Sequence, residues 1–278
     1  KAETWDRATL ETVQLARLKT TIQQAGRAPF YAKRLAEAGV SADNLRSLED
    51  IRRIPFTSKD DLRSQYPYGL ATVPHSEFVR MNCYSGTTGT PVAVCYTQPD
   101  INSWADLMAR CLYMAGVRKD DVFQNMSGYG LFTGGLGIHF GAERLGCMTI
   151  PAGAGNSKRQ LKLVKDFGTT VAHILPSYAL HLGTTLIEEG EDPKALSLRI
   201  ACVGAEPYTE ETRRRIEALF YMKVYNSYGL SEMNGPGVAF ECQYQNGLHL
   251  WEDAYLLEII DPNMPDVPRY LLNRLGEA

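Results

Sequence analysis

Between residues 120 and 232, short apolar runs alternate with amphipathic segments of about 10 to 15 residues. Runs such as "TTVAHILPS" and "LRIACVGAEP" are typical of strands, and Ser157 and Thr209 are predicted to cap two of the helices between such runs. Repeated strand–helix units fold as a parallel sheet covered by helices. This alternation therefore places the chain in the α/β class.

The first 80 residues lack that alternation. Apolar residues at helical spacing predict helices over residues 4–38, and Ser58 is a predicted N-cap farther on. We therefore expect a mostly helical leading segment at 1–80, an α/β core of the same domain at 81–262, and a discontinuous or truncated stretch at 263–278.

Composition excludes several classes of protein. The net charge of −3 gives no electrostatic footprint for a nucleic acid. No apolar run approaches the roughly 20 residues of a membrane-spanning helix, and no signal peptide is visible. Six scattered cysteines without a C-x-x-C pair indicate a reduced, intracellular protein. We therefore expect a cytoplasmic protein with neither nucleic-acid nor membrane partners.

Four glycine-containing loops are candidates for ligand binding. The GYGLFTGG loop (128–135), the GAEP loop (204–207) and the YNSYGLSE segment (225–232) follow predicted strands, where open α/β sheets bind ligands. The fourth, "SGTTGT" (85–90), has glycines and hydroxyls suited to a phosphate. It lacks the lysine of the G-x-x-x-x-G-K-[ST] motif, which disfavours a P-loop kinase or GTPase. Each loop alone is more often a plain turn.

Together these loops resemble the signature segments of adenylate-forming enzymes, which include acyl-CoA synthetases, peptide-synthetase adenylation domains and luciferases. "GYGLFTGGLGIHFGAERLG", "GNSKRQ", "DFGTT", "PSYAL" and "ECQYQNGLHLWED" resemble the phenylacetate–CoA ligase family more specifically. The resemblance runs from about residue 18 to 261. It implies the large N-terminal domain of the adenylate-forming fold, with helices flanking mixed or parallel sheets. We expect the large domain alone, with the family's small C-terminal domain absent.

The resemblance also implies an activity. The family joins a carboxylic acid to ATP as an acyl-adenylate, releases pyrophosphate with the help of Mg²⁺, and passes the acyl group to CoA. A small aromatic acid, phenylacetate by default, is the implied substrate, and homodimers are common among members. Two other functions stay open. An adenylating enzyme could load a carrier-protein thiol, and a non-catalytic domain could bind the acid and nucleotide without turnover.

The resemblance implies nucleotide-binding residues in three loops. Thr87, Thr88 and Glu232 are the implied catalytic residues, with Glu232 as the Mg²⁺ ligand. Thr90 and Asn226 stand where relatives often carry lysine and aspartate. Glu206 could instead offset a helix dipole, and Glu232 could be a solvated loop acid. The full ATP-binding set is Ser85, Gly86, Thr87, Thr88, Gly89, Gly204, Ala205, Glu206, Pro207, Asn226, Ser227, Tyr228 and Gly229.

The implied acid pocket combines aromatic and small residues, which suit a flat aryl group. Its members are Tyr129, Phe132, Gly134, Gly135, Pro176, Tyr178 and Ala205. Periodicity alone favours Phe132 and Tyr178 as core residues. His139 is expected to be a satisfied core histidine. Lys158 and Arg159 could meet the phosphates of CoA or simply lie on a solvated helix face.

A structural zinc site is a further hypothesis. Cys242 and His249 lie seven residues apart, with Glu241 and Glu252 nearby, and zinc accepts all of these ligand types. Two ligands do not complete a four-coordinate site, so the spacing alone is a weak signal.

Overall fold

The computed structural model describes residues 2–84, 91–261 and 264–269, with backbone only from residue 260 onward. The chain divides into two compact units, Lys1–Cys95 with Trp251–Ala278, and Tyr96–Leu250. The helices are α1 (Arg7–Ala25), α2 (Pro29–Glu37), α3 (Lys59–Ser64), α4 (Gln98–Met114), α5 (Thr133–Leu145), α6 (Ser157–Phe167), α7 (Pro176–Glu188) and α8 (Glu210–Phe220). The strands are β1 (Phe78–Tyr84), β2 (Val92–Thr97), β3 (Val122–Asn125), β4 (Met148–Ile150), β5 (Val171–Ile174), β6 (Ile200–Gly204), β7 (Lys223–Leu230), β8 (Gly235–Glu241), β9 (Leu248–Leu250), β10 (Ile259–Asp261) and β11 (Met264–Arg269).

The first unit is built mainly from helices, of which α1 is the longest with 19 residues. A small apolar cluster that includes Ile22, Leu35 and Leu45 forms its core. Ser58 caps α3, as predicted, by accepting a hydrogen bond from the Asp61 N–H at 3.1 Å. Strands β1 and β2 pair with each other, and β10 pairs antiparallel with β11. The division into 1–80, 81–262 and 263–278 stays a prediction.

The second unit contains a seven-stranded sheet in the order β4-β3-β5-β6-β7-β8-β9. The first five strands are mutually parallel, whereas β8 and β9 continue the sheet antiparallel. The α/β class is therefore confirmed, and the sheet is mixed. Every residue of β5 and β6 is buried, as expected of central strands covered on both faces.

Of the two N-cap residues predicted in this unit, one is confirmed and the other is wrong. Thr209 caps α8 as predicted, accepting from the Thr212 N–H at 3.2 Å. The prediction that Ser157 caps α6 is wrong, because Asn156 takes that role and accepts from the Arg159 N–H at 3.1 Å. Asn156 has a φ of 54°, a left-handed conformation that asparagine tolerates better than most residues.

Glycines bring α5 close to α4. A Cβ at Gly137 would collide with the Trp104 ring, and one at Gly141 would collide with Met108. The close packing that the glycine-rich sequence predicts is therefore confirmed, and it fixes α5, whose first turn includes the last residues of the GYGLFTGG loop. No helix in the described ranges has both the length and the apolar character to cross a bilayer.

The order of the parallel strands creates a switch point between β3 and β5. The chain leaves β3 through α5 to reach β4 on one side, and it leaves β5 through α7 to reach β6 on the other. Adjacent loops that depart in opposite directions open a crevice at the carboxyl ends of their strands, where open α/β sheets bind ligands. Topology thus indicates a site beside the GYGLFTGG loop and the start of α7.

Candidate active site

Buried Asn125, the last residue of β3, lies at the centre of a polar cluster at the switch point. Its Nδ2 donates to the Gly135 carbonyl at 2.7 Å, and its Oδ1 accepts from the Ser127 N–H at 3.2 Å. The same Oδ1 lies 2.9 Å from Nδ1 of His173 on β5, so that nitrogen carries the proton. Burial lowers the pKa of His173 to about 4 and keeps its ring neutral near pH 7. No local sequence pattern predicts this pair of residues.

A second polar chain fixes Tyr129 in the GYGLFTGG loop. Its hydroxyl lies 2.9 Å from Nδ1 of His139, and Nε2 of His139 lies 3.0 Å from a Glu143 carboxylate oxygen. Burial raises the pKa of Tyr129 to about 12, with Asn125 opposing the shift and Glu143 adding to it. The tyrosine is therefore a neutral hydrogen-bond donor to His139. These contacts favour a structural role for His139, on the face of α5.

The aromatic residues of the predicted acid pocket differ in exposure. Phe132 is 63% exposed, so the expectation from periodicity that it lies in the core is wrong. Tyr178 is partly buried, packs against the apolar cluster of the second unit, and places its hydroxyl 3.2 Å from Ser157 Oγ. Gly134 has open space where a Cβ would be, whereas a Cβ at Gly135 would collide with the Gly128 carbonyl. Membership of these residues in an acid pocket stays a prediction.

The GAEP loop leads from β6 towards α8, and its Glu206 side chain reaches the start of α7. A Cβ on Gly204 would lie 2.5 Å from the Ser227 carbonyl oxygen, so only glycine allows β6 and β7 to approach here. Ala205 has a φ of 66°, a strained conformation of the kind that clusters at ligand sites. The Glu206 carboxylate accepts from Ser177 Oγ at 2.7 Å and from the Ser177 N–H at 3.1 Å. Glu206 therefore offsets the dipole of α7, while Pro207 follows as an exposed residue.

The YNSYGLSE segment is held by a buried ion pair. Arg213 of α8 and Glu241 of β8 form two hydrogen bonds of 2.7 Å each, and both side chains are only 5% exposed. Glu241 Oε2 also accepts from the Asn226 N–H at 2.7 Å. The pair thus fixes the backbone at Asn226. Buried Ser227 Oγ has no hydrogen-bond partner among the described residues, which leaves it available to a ligand.

The end of this segment meets the loop after β3. Tyr228 is half exposed, and a Cβ on Gly229 would collide with the backbone of β8. Ser231 Oγ lies 3.2 Å from Thr133 Oγ1, at the start of α5. Glu232 follows in an exposed 3-10 turn, Ser231–Met233. A carboxylate in that position offers the hard oxygen that Mg²⁺ prefers.

The zinc hypothesis is not supported. Within the part of the chain that the structure describes, no group of three or more histidine, cysteine, aspartate or glutamate side chains could hold a metal ion. The acids expected to help Cys242 and His249 have other partners. Glu241 binds Arg213, and Glu252 accepts from Arg7 Nη1 at 2.8 Å.

Two sets of predicted contacts remain. Ser85, Gly86, Thr87, Thr88, Gly89 and Thr90 lie outside the described residues, so their predicted contacts to phosphate stay predictions. Lys158 pairs with Glu189 at 2.7 Å on an exposed face, as the solvated-face interpretation expects. Arg159 Nη2 donates to the Ala152 carbonyl at 2.9 Å and so braces the loop before α6.

Comparison with known proteins gives consistent matches. A family model described as AMP-binding enzyme matches residues 23–276. A phenylacetate-coenzyme A ligase of Pseudomonas putida is 48% identical over 251 residues, which are 90% of this chain and 57% of that protein. One of Thermus thermophilus is 46% identical over 263 residues, 94% of this chain and 59% of that protein. The chain therefore spans under three fifths of the length of these relatives.

A solved structure supports the fold assignment. A 2-hydroxyisobutyryl-CoA ligase, in complex with 2-HIB-AMP and CoA in its thioesterification state, superposes with a TM-score of 0.88 at 31% identity. The match covers 94% of this chain and 57% of the other. The expected adenylate-forming fold of the large domain is thus confirmed.

Proposed function

This chain belongs to the AMP-binding enzyme family, and on that premise we propose that the protein is an ATP-dependent aryl-acid–CoA ligase, with phenylacetate as the default acid. It joins the acid to ATP as an acyl-adenylate with release of pyrophosphate, and the CoA thiol then attacks the adenylate to give the thioester with release of AMP. Four curated relatives of 42–48% identity that carry the name phenylacetate-coenzyme A ligase support this proposal.

One observation carries the proposal. The GYGLFTGG and GAEP loops follow the parallel strands β3 and β6, and the YNSYGLSE segment begins in the carboxyl-terminal half of the parallel strand β7, so all three lie along one edge of the sheet. That edge includes the switch point between β3 and β5. The segments that resemble the nucleotide and acid sites of one enzyme family are therefore the segments that the topology selects for ligand binding.

The roles we propose divide between nucleotide and acid. Ser85, Gly86, Thr87, Thr88 and Gly89 hold the ATP phosphates with backbone and hydroxyl donors. The GAEP loop and residues Asn226, Ser227, Tyr228 and Gly229 border the adenine and the acyl group. The acid is enclosed by Tyr129, Phe132, Gly134, Gly135, Pro176, Tyr178 and Ala205. Aromatic rings and small glycines leave a flat space that suits an aryl group.

Charge builds up on the phosphates during adenylation. Mg²⁺, when bound, offsets that charge, and the exposed Glu232 carboxylate supplies an oxygen ligand for it. The hydroxyls of Thr87 and Thr88 donate to the same phosphates. Thr90 leaves this loop without the positive charge that many relatives carry there.

The thiol acceptor, location and assembly complete the proposal. CoA is favoured over a carrier-protein thiol because the curated relatives are named as coenzyme A ligases. The six cysteines are free thiols, which suits a reducing, cytoplasmic compartment. A homodimer is our expectation for assembly, and sedimentation of the full-length gene product tests it.

The proposal is tested by acid-dependent ATP–pyrophosphate exchange with the full-length gene product. Phenylacetate is compared with a panel of aryl, heteroaryl and aliphatic acids, and product formation is then compared with CoA present and absent. Exchange with an aryl acid, followed by a CoA-dependent thioester, is the expected result. ATP binding without exchange for any acid would instead indicate a non-catalytic binding domain.

A further inference from the structure

The GYGLFTGG loop is a closed loop with a narrow neck. Its first residue, Gly128, and its last, Gly135, approach so closely that a Cβ on Gly135 would overlap the Gly128 carbonyl. The tip between them carries Leu131 and Phe132, which are 56% and 63% exposed. The closeness of Gly128 and Gly135 therefore contributes to the shape of the loop, together with the Tyr129–His139 contact.

The side chain of Asn125 holds the two ends of that loop together. Its side chain donates to the Gly135 carbonyl on one side and accepts from the Ser127 N–H on the other, at 2.7 and 3.2 Å. The same oxygen accepts from His173 of β5 at 2.9 Å. One buried carboxamide thus joins both ends of the loop to the strand across the switch point.

From this arrangement we infer that Asn125 is a positioning residue for the acid-binding step. It holds the GYGLFTGG loop in the shape that forms one wall of the acid site, and it keeps that wall in register with β5. This inference rests on the proposed function. Asn125 acts through the loop, and it makes no contact of its own with the acid.

Substitution should therefore weaken binding of the acid and leave binding of ATP unchanged. In Asn125→Asp, size and the acceptor atom are kept, but a second acceptor faces the Gly135 carbonyl, so the neck is pushed open. We expect the KM for the acid to rise by about tenfold or more, as for a lost buried hydrogen bond, and the KM for ATP to stay within about twofold. Gly135→Ala should also force the two ends of the loop apart. It should therefore raise the KM for the acid and leave the KM for ATP unchanged.

The matched control is Thr170→Val. Thr170 joins the same two strands at their opposite, amino-terminal ends, donating to Asp121 at 2.8 Å and accepting from the Val122 N–H at 3.1 Å. The Thr170→Val variant therefore loses hydrogen bonds similar to those of Asn125, at a position that does not contact the GYGLFTGG loop. Both KM values should stay near wild type in this variant. Exchange kinetics are measured for all three variants of the full-length gene product.

A second readout does not depend on catalysis. Cleavage by chymotrypsin after Phe132 requires the loop to open, so its rate reports the open population. Asn125→Asp and Gly135→Ala should be cut about tenfold faster than wild type under native conditions, and Thr170→Val should not.

The outcomes separate the two proposals. Wild-type exchange together with an unchanged acid KM in both Asn125→Asp and Gly135→Ala overturns the positioning role alone. An equal rise of the acid and ATP KM values also overturns it, because general destabilisation then explains the loss. Absence of wild-type exchange with every acid overturns the proposed function and this role together. The cleavage rates then show only whether Asn125 keeps the loop closed.

Discussion

The buried pair between Arg213 and Glu241 gives the sharpest prediction of stability. Both side chains are 5% exposed and share two hydrogen bonds of 2.7 Å. The hydrogen bonds to Glu241 are the main cause that raises the pKa of Arg213, so its guanidinium cannot shed its charge. Glu241→Ala leaves that charge buried and also removes the acceptor of the Asn226 N–H. Breaking such a pair costs about 3–5 kcal/mol of unfolding free energy.

The assay is urea denaturation followed by tryptophan fluorescence. Trp104 is buried and donates to the Pro236 carbonyl of β8 at 2.8 Å, so it reports on the strand that carries Glu241. The control is Asp166→Ala, which removes an exposed pair with Lys162 and should cost under about 0.5 kcal/mol.

A double variant tests the cause of the loss. Arg213→Met with Glu241→Met leaves no buried charge, so it should be clearly more stable than Glu241→Ala. A loss for Glu241→Ala within about 1 kcal/mol of the loss for Asp166→Ala would refute the reasoning, because the pair would then behave as a surface pair.

Three further predictions concern pH, packing and metal. Between pH 6.5 and about 4 the unfolded chain binds a proton at residue 173 that the folded chain excludes, so unfolding free energy should fall by about 3 kcal/mol as pH drops through that window. His173→Asn should remove that slope from urea midpoints measured across pH. Gly137→Ala should cost about 1–3 kcal/mol in the same assay because its Cβ collides with Trp104, whereas Gly134→Ala, with open space, should be near neutral. Glu232→Gln should raise the Mg²⁺ concentration for half-maximal exchange by about tenfold and leave the acid KM unchanged.

Local patterns predicted the architecture of the second unit well. Alternating strands and helices fixed the α/β class, Thr209 marked the start of α8, and glycines in α5 indicated a close approach to another helix. These features depend on neighbours in sequence, where periodicity and capping chemistry act directly. The antiparallel strands β8 and β9 were not predicted, because an edge added to a parallel sheet leaves no such local signal.

The polar contacts that shape the candidate site could not be predicted from local sequence patterns. Arg213 lies within "EETRRRIEALF", where it looks like any other basic residue of an amphipathic helix, yet it is buried against Glu241, 28 residues farther on. His173 and Asn125 are 48 residues apart. Contacts of this kind follow from strand order, which the sequence pattern alone does not specify.

Strand order also explains why each described loop is braced from outside itself. Asn125 closes the GYGLFTGG loop and reaches β5, Glu206 of the GAEP loop holds the start of α7, and Glu241 of β8 fixes the backbone at Asn226 on β7. Parallel strands are joined by long crossover connections, so the loops at their carboxyl ends come from distant parts of the chain, and side-chain hydrogen bonds help to hold those loops together.

Each brace serves a different part of the proposed site. Loosening Asn125 should affect mainly the acid. Loosening Glu241 should affect mainly ATP, because Asn226 belongs to the proposed ATP-binding residues, and neither Asn125 nor Glu241 is expected to touch a ligand. The ratio of the acid KM to the ATP KM should therefore move in opposite directions in Asn125→Asp and in Glu241→Gln, which keeps a side chain of similar size. If that ratio changed in the same direction in both variants, the acid and nucleotide sites would not be held independently of each other, and this reasoning would be wrong.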